Sequence, residues 1–263
     1  MKCYIDNVLT DREVVSDVKN LIPDAAMRRR MSRVLKMGVG TAVECLGGVE
    51  GIDSLDAIIT ATGLGCLADS EKFLRNVISD NEEFLNPTPF IQSTFNTLGG
   101  QIALLRHKKC YNMTYVNGNT SFEDALLDAL MLMADSQAET VLVGAFDEKT
   151  DSQQKIMARM GAYRHAECGE GCVFARLTGT RKESSVAMIT GMEYRNGVFD
   201  EDGTRVFRVE PEMYGVYHTA SARAFADAVS YVRQTGSPAV VCNGTVENRT
   251  CLIFIEACGG SGQ

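Results

Sequence analysis

The chain has 263 residues, 45% of them hydrophobic and 23% charged, with a formal net charge of −8. That length supports a sizeable core in one large domain or two small ones, and the acidic balance argues against a nucleic-acid partner. No apolar run reaches the roughly 18 residues of a membrane helix and no signal-peptide pattern opens the chain, so a soluble cytoplasmic protein with no membrane contact is expected.

Residues 2–8 read as a short β-type start. Asp24 is a good N-cap for a helix expected to run to about Leu46. Its first turns carry Arg28, Arg29, Arg30, Arg33 and Lys36, either a solvated face or a landing patch for an acidic partner. Asp56 to Thr62 reads as a strand ending in Gly63-Leu64-Gly65. Ala68 breaks a dinucleotide-type glycine pattern there and no phosphate-loop lysine follows, so a tight turn is the better reading. Asp69 is expected to open a helix that buries Phe73, Leu74 and Val77. Asn86-Pro87-Thr88-Pro89 breaks the chain before a further helix over Phe90 to about Leu105, where Gly99-Gly100 suggests close packing against a neighbouring helix.

Residues 111–148 organise the rest. Tyr111 to Val116 is strand-like, and Asn117-Gly118-Asn119 is a turn in which Gly118 can take positive φ. Thr120 and Glu123 have capping-box spacing. Phe122, Ala125, Leu126, Ala129, Leu130 and Met133 recur on one helical face. Val141 to Phe146 lacks polar alternation, as in a strand covered on both sides. Strand, helix and strand make a βαβ unit. A turn between strand and helix N-terminus suits a nucleophile, because N–H groups and the helix dipole favour an anion there. Yet Tyr115, Val116, Asn117, Gly118 and Asn119 include no Cys, Ser or Lys.

Thr150 to Met160 reads as helix. Cys172–Leu177 and Ser185–Met192 read as an antiparallel strand pair, and 193–212 as polar and irregular with turns at Asn196-Gly197 and Asp202-Gly203. An Ala-rich helix covers Thr219 to Arg233. Ala239–Cys242 and Cys251–Ile255 close the chain as two strands, and 259–263 reads as a flexible tail. Nine cysteines at irregular spacing read as small core residues in a reducing compartment. None stands at zinc spacing, so neither a metal nor a cofactor is expected. His107 suits a helix C-terminus and His165 a solvent-facing loop, while His218 stands at a helix start, as a cap or facing a pocket.

An ordered set of stretches resembles the β-ketoacyl-acyl carrier protein synthases of the thiolase-like superfamily, and more narrowly their N-terminal-domain relatives in bacterial biosynthetic clusters. The set runs through Arg28–Lys36, Thr62–Gly65, Pro87–Asn96 with Gly100–Ala103, Ser121–Ala125, Val141–Gly144 with Asp147-Glu148, and Gly169–Gly171. Gly215–Ala222 and Asn243–Glu256 resemble the family's end. The resemblance implies an α/β thiolase-like layered fold, with a mixed, mainly parallel sheet, helices on both sides and the second half truncated. Residues 1–192 would be the N-terminal half, and 193–258 a shortened remnant packed on the same core.

The resemblance further implies a Cys nucleophile at the elbow and two His from the second half, which condense acyl thioesters. Laid on this chain, Tyr115 falls at the Cys and Val216 at one His, while the other His segment is missing. A catalytically degenerate subunit follows, partnering an active synthase and an acyl carrier protein as chain-length factors do, in a homo- or heterodimer. Its pocket would use Asn117, Gly118, Phe95, His218 and Asn243, and Arg28, Arg29, Arg30, Arg33 and Lys36 would dock the carrier. Two alternatives stand beside it. One is an active acyltransferase or thioesterase using a displaced thiol, Cys66, Cys168 or Cys172. The other is a structural homodimer joined through strand 111–116 with no acyl role.

Overall fold

The computed structural model describes residues 3–83, 85–163, 166–197, 199, 204–244 and 249–259. In chain order these form β1 (Cys3–Thr10), α1 (Val18–Leu21), α2 (Ala25–Arg30), α3 (Arg33–Cys45), β2 (Ala57–Ala61), α4 (Leu67–Ser79), α5 (Pro87–Gln92), α6 (Thr97–Leu104), β3 (Tyr111–Tyr115), α7 (Ser121–Ala134) and β4 (Thr140–Asp147). There follow α8 (Asp151–Arg159), β5 (Gly171–Thr178), β6 (Ala187–Asn196), β7 (Arg205–Arg208), α9 (Pro211–Tyr214), α10 (Ala220–Thr235), β8 (Ala239–Gly244) and β9 (Arg249–Glu256).

All nine strands join one sheet in the order β3-β2-β4-β5-β1-β6-β9-β8-β7. The expected mixed sheet with helices on both sides is present. Its parallel ladders are β2 with β3, β2 with β4, and β7 with β8, and the other pairings are antiparallel. The antiparallel share is larger than expected because β5 runs back along β4 and β1 lies between β5 and β6. The expected β5–β6 pair is therefore not formed: both strands pair with β1 instead. Likewise β3 and β4 of the βαβ unit are not neighbours, since β2 lies between them and is parallel to both.

Side chains alternate across the sheet with period two. Ile59, Val143, Val173 and Val241 point to the face covered by α7 and α10, where the Phe122 and Phe225 ring centroids are 5.5 Å apart. Ile58, Leu142, Phe146 and Phe174 point to the face covered by α3 and α6. β4 is buried along its whole length, as its unbroken apolar run predicts. On the outer side of β8 and β9 a smaller cluster forms around Phe199, Val240, Cys242 and Leu252.

Several local expectations are corrected. The helix from Asp24 stops at Arg30 and restarts at Arg33, because Met31 is extended and buried. The Phe90–Leu105 helix is two helices, α5 beginning at Pro87 under an Asn86 cap and α6 beginning at Thr97. Proline suits a first helical turn, where the missing N–H is not needed. α4 begins at Leu67, before Asp69, and its Leu74 is exposed. Gly99 faces the sheet, not a helix: a Cβ there would lie 2.8 Å from Asn112 Oδ1. Within 193–212, read as irregular, the described residues hold the end of β6, all of β7 and the start of α9. His165, Asp202-Gly203 and 260–263 lie outside the described residues. Among the described residues no helix is long and apolar enough to cross a membrane.

Candidate functional site

The site lies at the C-terminal ends of β2, β3 and β4, the edge where open α/β sheets commonly bind ligands. Gly118 follows β3 with φ +60 and opens a short 3₁₀ turn that leads into α7. The elbow is laced by side chains. The Asn117 N–H donates to Ser121 Oγ (2.8 Å), Ser121 Oγ donates to the Gly118 carbonyl (2.8 Å), and Asn117 Nδ2 donates to Asp124 (2.7 Å). These bonds replace the expected capping box. Thr120 makes no cap bond to the helix, and Glu123 turns inward.

Asp147, at the end of β4, ties three segments together. Its Oδ1 accepts from Thr62 Oγ1 (2.9 Å) and from the N–H groups of Gly63 (2.9 Å) and Leu64 (3.2 Å). Its Oδ2 accepts from the Thr219 N–H (3.1 Å) and hydroxyl (2.9 Å). A buried carboxylate needs such donors to offset desolvation. The result fixes the Gly63–Gly65 turn against the start of α10, so His218 lies directly on Gly63. A Cβ on Gly63 would stand 2.2 Å from the His218 ring. His218 Nδ1 is 2.7 Å from Asn119 Oδ1. An amide oxygen only accepts, so Nδ1 donates in this pair. A Cβ on Gly118 would lie 3.8 Å from His218 Nδ1, an ordinary contact distance. Phe95 closes the other end of the same turn, packed on Gly65.

Beneath the elbow Asn243 of β8 donates through Nδ2 to the Asn119 carbonyl and to Glu123 Oε1, both at 2.8 Å. Glu123 is fully buried, and desolvation pushes its carboxyl up to about 7 against the donor from Asn243. Of the residues expected to form a pocket, Asn117, Gly118, Phe95, His218 and Asn243 thus gather around one elbow and its neighbouring glycine turn.

Tyr115 and Val216 stand elsewhere. The Tyr115 ring packs on the core beside α7, and burial with the nearby Asp128 pushes its phenol up to about 12. Val216 pairs through its backbone with the 167–169 loop, donating to the Glu167 carbonyl (2.8 Å) and accepting from the Gly169 N–H (3.2 Å). Gly118, not Tyr115, faces His218.

The basic stretch is divided. Arg28 donates to the Ile22 and Pro23 carbonyls, and Arg33 pairs with Glu170 within 4.0 Å of Glu148. Arg29 and Arg30 are exposed, Arg30 lining a cavity of about 480 Å³ with Asp24, Ile91 and Leu104, while Lys36 is half-buried. Cys66 and Cys172 are buried, and desolvation with nearby carboxylates pushes both thiols well up. Cys168 is half-buried in the loop that pairs with Val216. No group of three or more metal-ligating side chains occurs among the described residues.

Asn119, Glu123 and Asp147 carry the site; the sequence places Asn119 in the turn and Glu123 at a cap, but marks none of the three as a pocket residue. The only signals are an Asp closing an otherwise apolar strand and a Glu three residues past a cap.

A mixed sheet with an elbow at its parallel end, faced by a His-bearing helix start, defines a thiolase-like protein. Residues 9–173 match the family described as beta-ketoacyl synthase, N-terminal domain, and the chain belongs to that family. Sequence comparison with curated proteins found no match. Among solved structures, the ishigamide ketosynthase/chain length factor is similar at TM-score 0.74 and 16% identity, over 93% of this chain and 86% of that one. A type II polyketide synthase acyl-carrier protein in complex with its ketosynthase is similar at TM-score 0.78 and 12% identity, over 97% and 99%. A ketosynthase in complex with its chain length factor from Xenorhabdus doucetiae is similar at TM-score 0.64 and 14% identity, over 97% and 99%.

Proposed function

We propose that this chain is a non-condensing member of the β-ketoacyl synthase family, acting in fatty acid or polyketide-type biosynthesis beside an active synthase and its acyl carrier protein. The carrying observation is Gly118, a residue without a side chain, at the elbow position that faces His218. In this reading Gly118 takes the place of the family's nucleophile and His218 that of one histidine, a register shifted from Tyr115 and Val216. With no thiol at the elbow, no acyl-enzyme forms there. The chain's role is to hold or measure an acyl chain on its partner, as a chain-length factor does.

The solved neighbours support a synthase and a carrier protein as partners, since those proteins are described as such complexes. Among the described residues strand β3 ends the sheet, with β2 as its one ladder partner, and offers the edge for a dimer. A displaced thiol is disfavoured at Cys66 and Cys172, because the thiolate is the reactive form and burial opposes it.

The test is to incubate the pure protein with acyl- and malonyl-carrier protein and follow product and protein mass. No condensation product and no acyl adduct are expected. Either one, formed by this protein alone, overturns the reading.

A further inference from the structure

The elbow rests on a carboxyl group that its folded setting serves poorly. Glu123 is fully buried, and Asn243 Nδ2 donates to its Oε1, but Oε2 has no partner among the described residues. An ionised carboxylate offers about four acceptor sites, and leaving them empty in the interior is costly. The groups facing Glu123 do not relieve this. Asp124, on the same helix, adds a second negative charge. Tyr194 of β6 and Cys251 of β9 lie close by, and burial pushes both the phenol and the thiol up, so neither is charged near neutrality. β8 and α10 present the neutral Asn243 and Ser221, and the Ser221 hydroxyl is itself buried without a partner.

The same carboxyl is linked to the surface of the site. Asn243 Nδ2 also donates to the Asn119 carbonyl (2.8 Å), and Asn119 Oδ1 accepts from His218 Nδ1 (2.7 Å). Glu123, Asn243, Asn119 and His218 thus form one hydrogen-bonded chain from the core to the elbow, with His218 the second titratable group along it.

We propose that Glu123 is a proton-operated latch beneath the elbow. As the neutral acid it stays buried and holds Asn243 against Asn119. On losing its proton to solvent it favours an opened elbow, in which the carboxylate reaches water and Asn119 releases His218. The direction follows from linkage. Buried, the carboxyl ionises near 7; in an opened elbow it ionises near its ordinary 4.5. Opening is therefore favoured by up to about tenfold more per pH unit between those two values, and levels off above them. The bearing of the latch on acyl handling rests on the non-condensing reading of the elbow, but the motion itself can be followed whether or not that reading holds.

The test is amide hydrogen exchange of the full chain between about pH 4.5 and pH 7, corrected for the intrinsic pH dependence of exchange. Protection of residues 117–123, including the Asn117 N–H bonded to Ser121 Oγ, should fall by about tenfold or more across that range. It should stay level in Glu123→Gln, which cannot ionise. Amides of α8, a helix with no buried residue, are the reference and should show no such fall. In the unaltered protein the Asn243 side-chain amide resonances should shift with a midpoint near 7. The proposal is overturned if elbow protection is level in the unaltered protein, or if Asn243 does not respond. It is equally overturned if Glu123→Gln shows the same fall, which would assign the effect to His218, or if α8 falls in parallel.

Discussion

Gly118 carries the functional reading because of what it lacks. Its φ of +60 suits glycine, and a non-glycine residue there costs about 1–2 kcal/mol. Space is not the obstacle, since a Cβ would meet His218 Nδ1 at 3.8 Å. Gly118→Cys should therefore fold, destabilised by about that amount. The introduced thiol, at a helix start, should be alkylated at neutral pH well before the buried Cys66 and Cys172. Peptide mapping after brief iodoacetamide treatment checks this, and an introduced thiol that labels no faster than those two would remove the elbow from consideration. Glu123 supplies a second residue-scale prediction. Its folded-state carboxyl, at about 7, binds protons more tightly than its ordinary value of 4.5 allows in the unfolded chain. Stability from this group is thus full below about 4.5 and declines as pH rises to about 7, by on the order of 3 kcal/mol. Glu123→Gln, which keeps an acceptor for Asn243, should flatten that decline in urea titrations between those pH values.

At the scale of elements, the site exists because separate segments are tied at their ends. Asp147 joins the turn after β2 to the start of α10 through five accepted hydrogen bonds. Asp147→Ala leaves those donors without an acceptor and should cost about 3–5 kcal/mol, measured as a fall in urea midpoint at constant slope. The Arg33–Glu170 pair joins α3 to the loop before β5, but Arg33 is 55% exposed. Arg33→Ala should cost under about 1 kcal/mol. The contrast separates a buried hub from a solvated pair. The helix breaks belong to this scale too. Asn86, Pro87 and Pro89 are legible as punctuation, but they start α5 instead of merely interrupting the chain, because proline is accepted in a first turn. The β5–β6 pairing fails for a different reason: two strands close in sequence suggest neighbours, yet β1 from the far end of the chain claims the space between them.

At the scale of the whole molecule, partner binding turns on exposed surfaces. Of the five basic residues proposed for carrier docking, Arg28 and Arg33 have internal partners, whereas Arg29 and Arg30 are exposed. Reversing both, Arg29→Glu with Arg30→Glu, should weaken binding of an acidic carrier protein about tenfold or more at low salt, and by less at high salt. Unchanged binding in fluorescence anisotropy would move docking to another face. The end of the sheet at β3 presents Tyr111 and Met113, 38% and 42% exposed. If dimers form through that edge, Met113→Lys should shift the mass in light scattering toward the monomer.

Periodicity and punctuation by themselves determined much of this protein. The buried run of β4, the apolar face of α7, the Ala-rich α10 and the closing β8–β9 hairpin are local patterns, and local patterns survive in a linear reading. The site was legible only in part: the elbow shows in its strand–turn–helix setting, and the missing thiol in its composition. Which residue fills the elbow, and what faces it, was decided by the tertiary structure alone. His218 reaches Gly118 only because Asp147 draws the start of α10 onto the turn after β2. The bonds that do this join residues 72 and 99 positions apart, and such contacts leave no trace in local spacing.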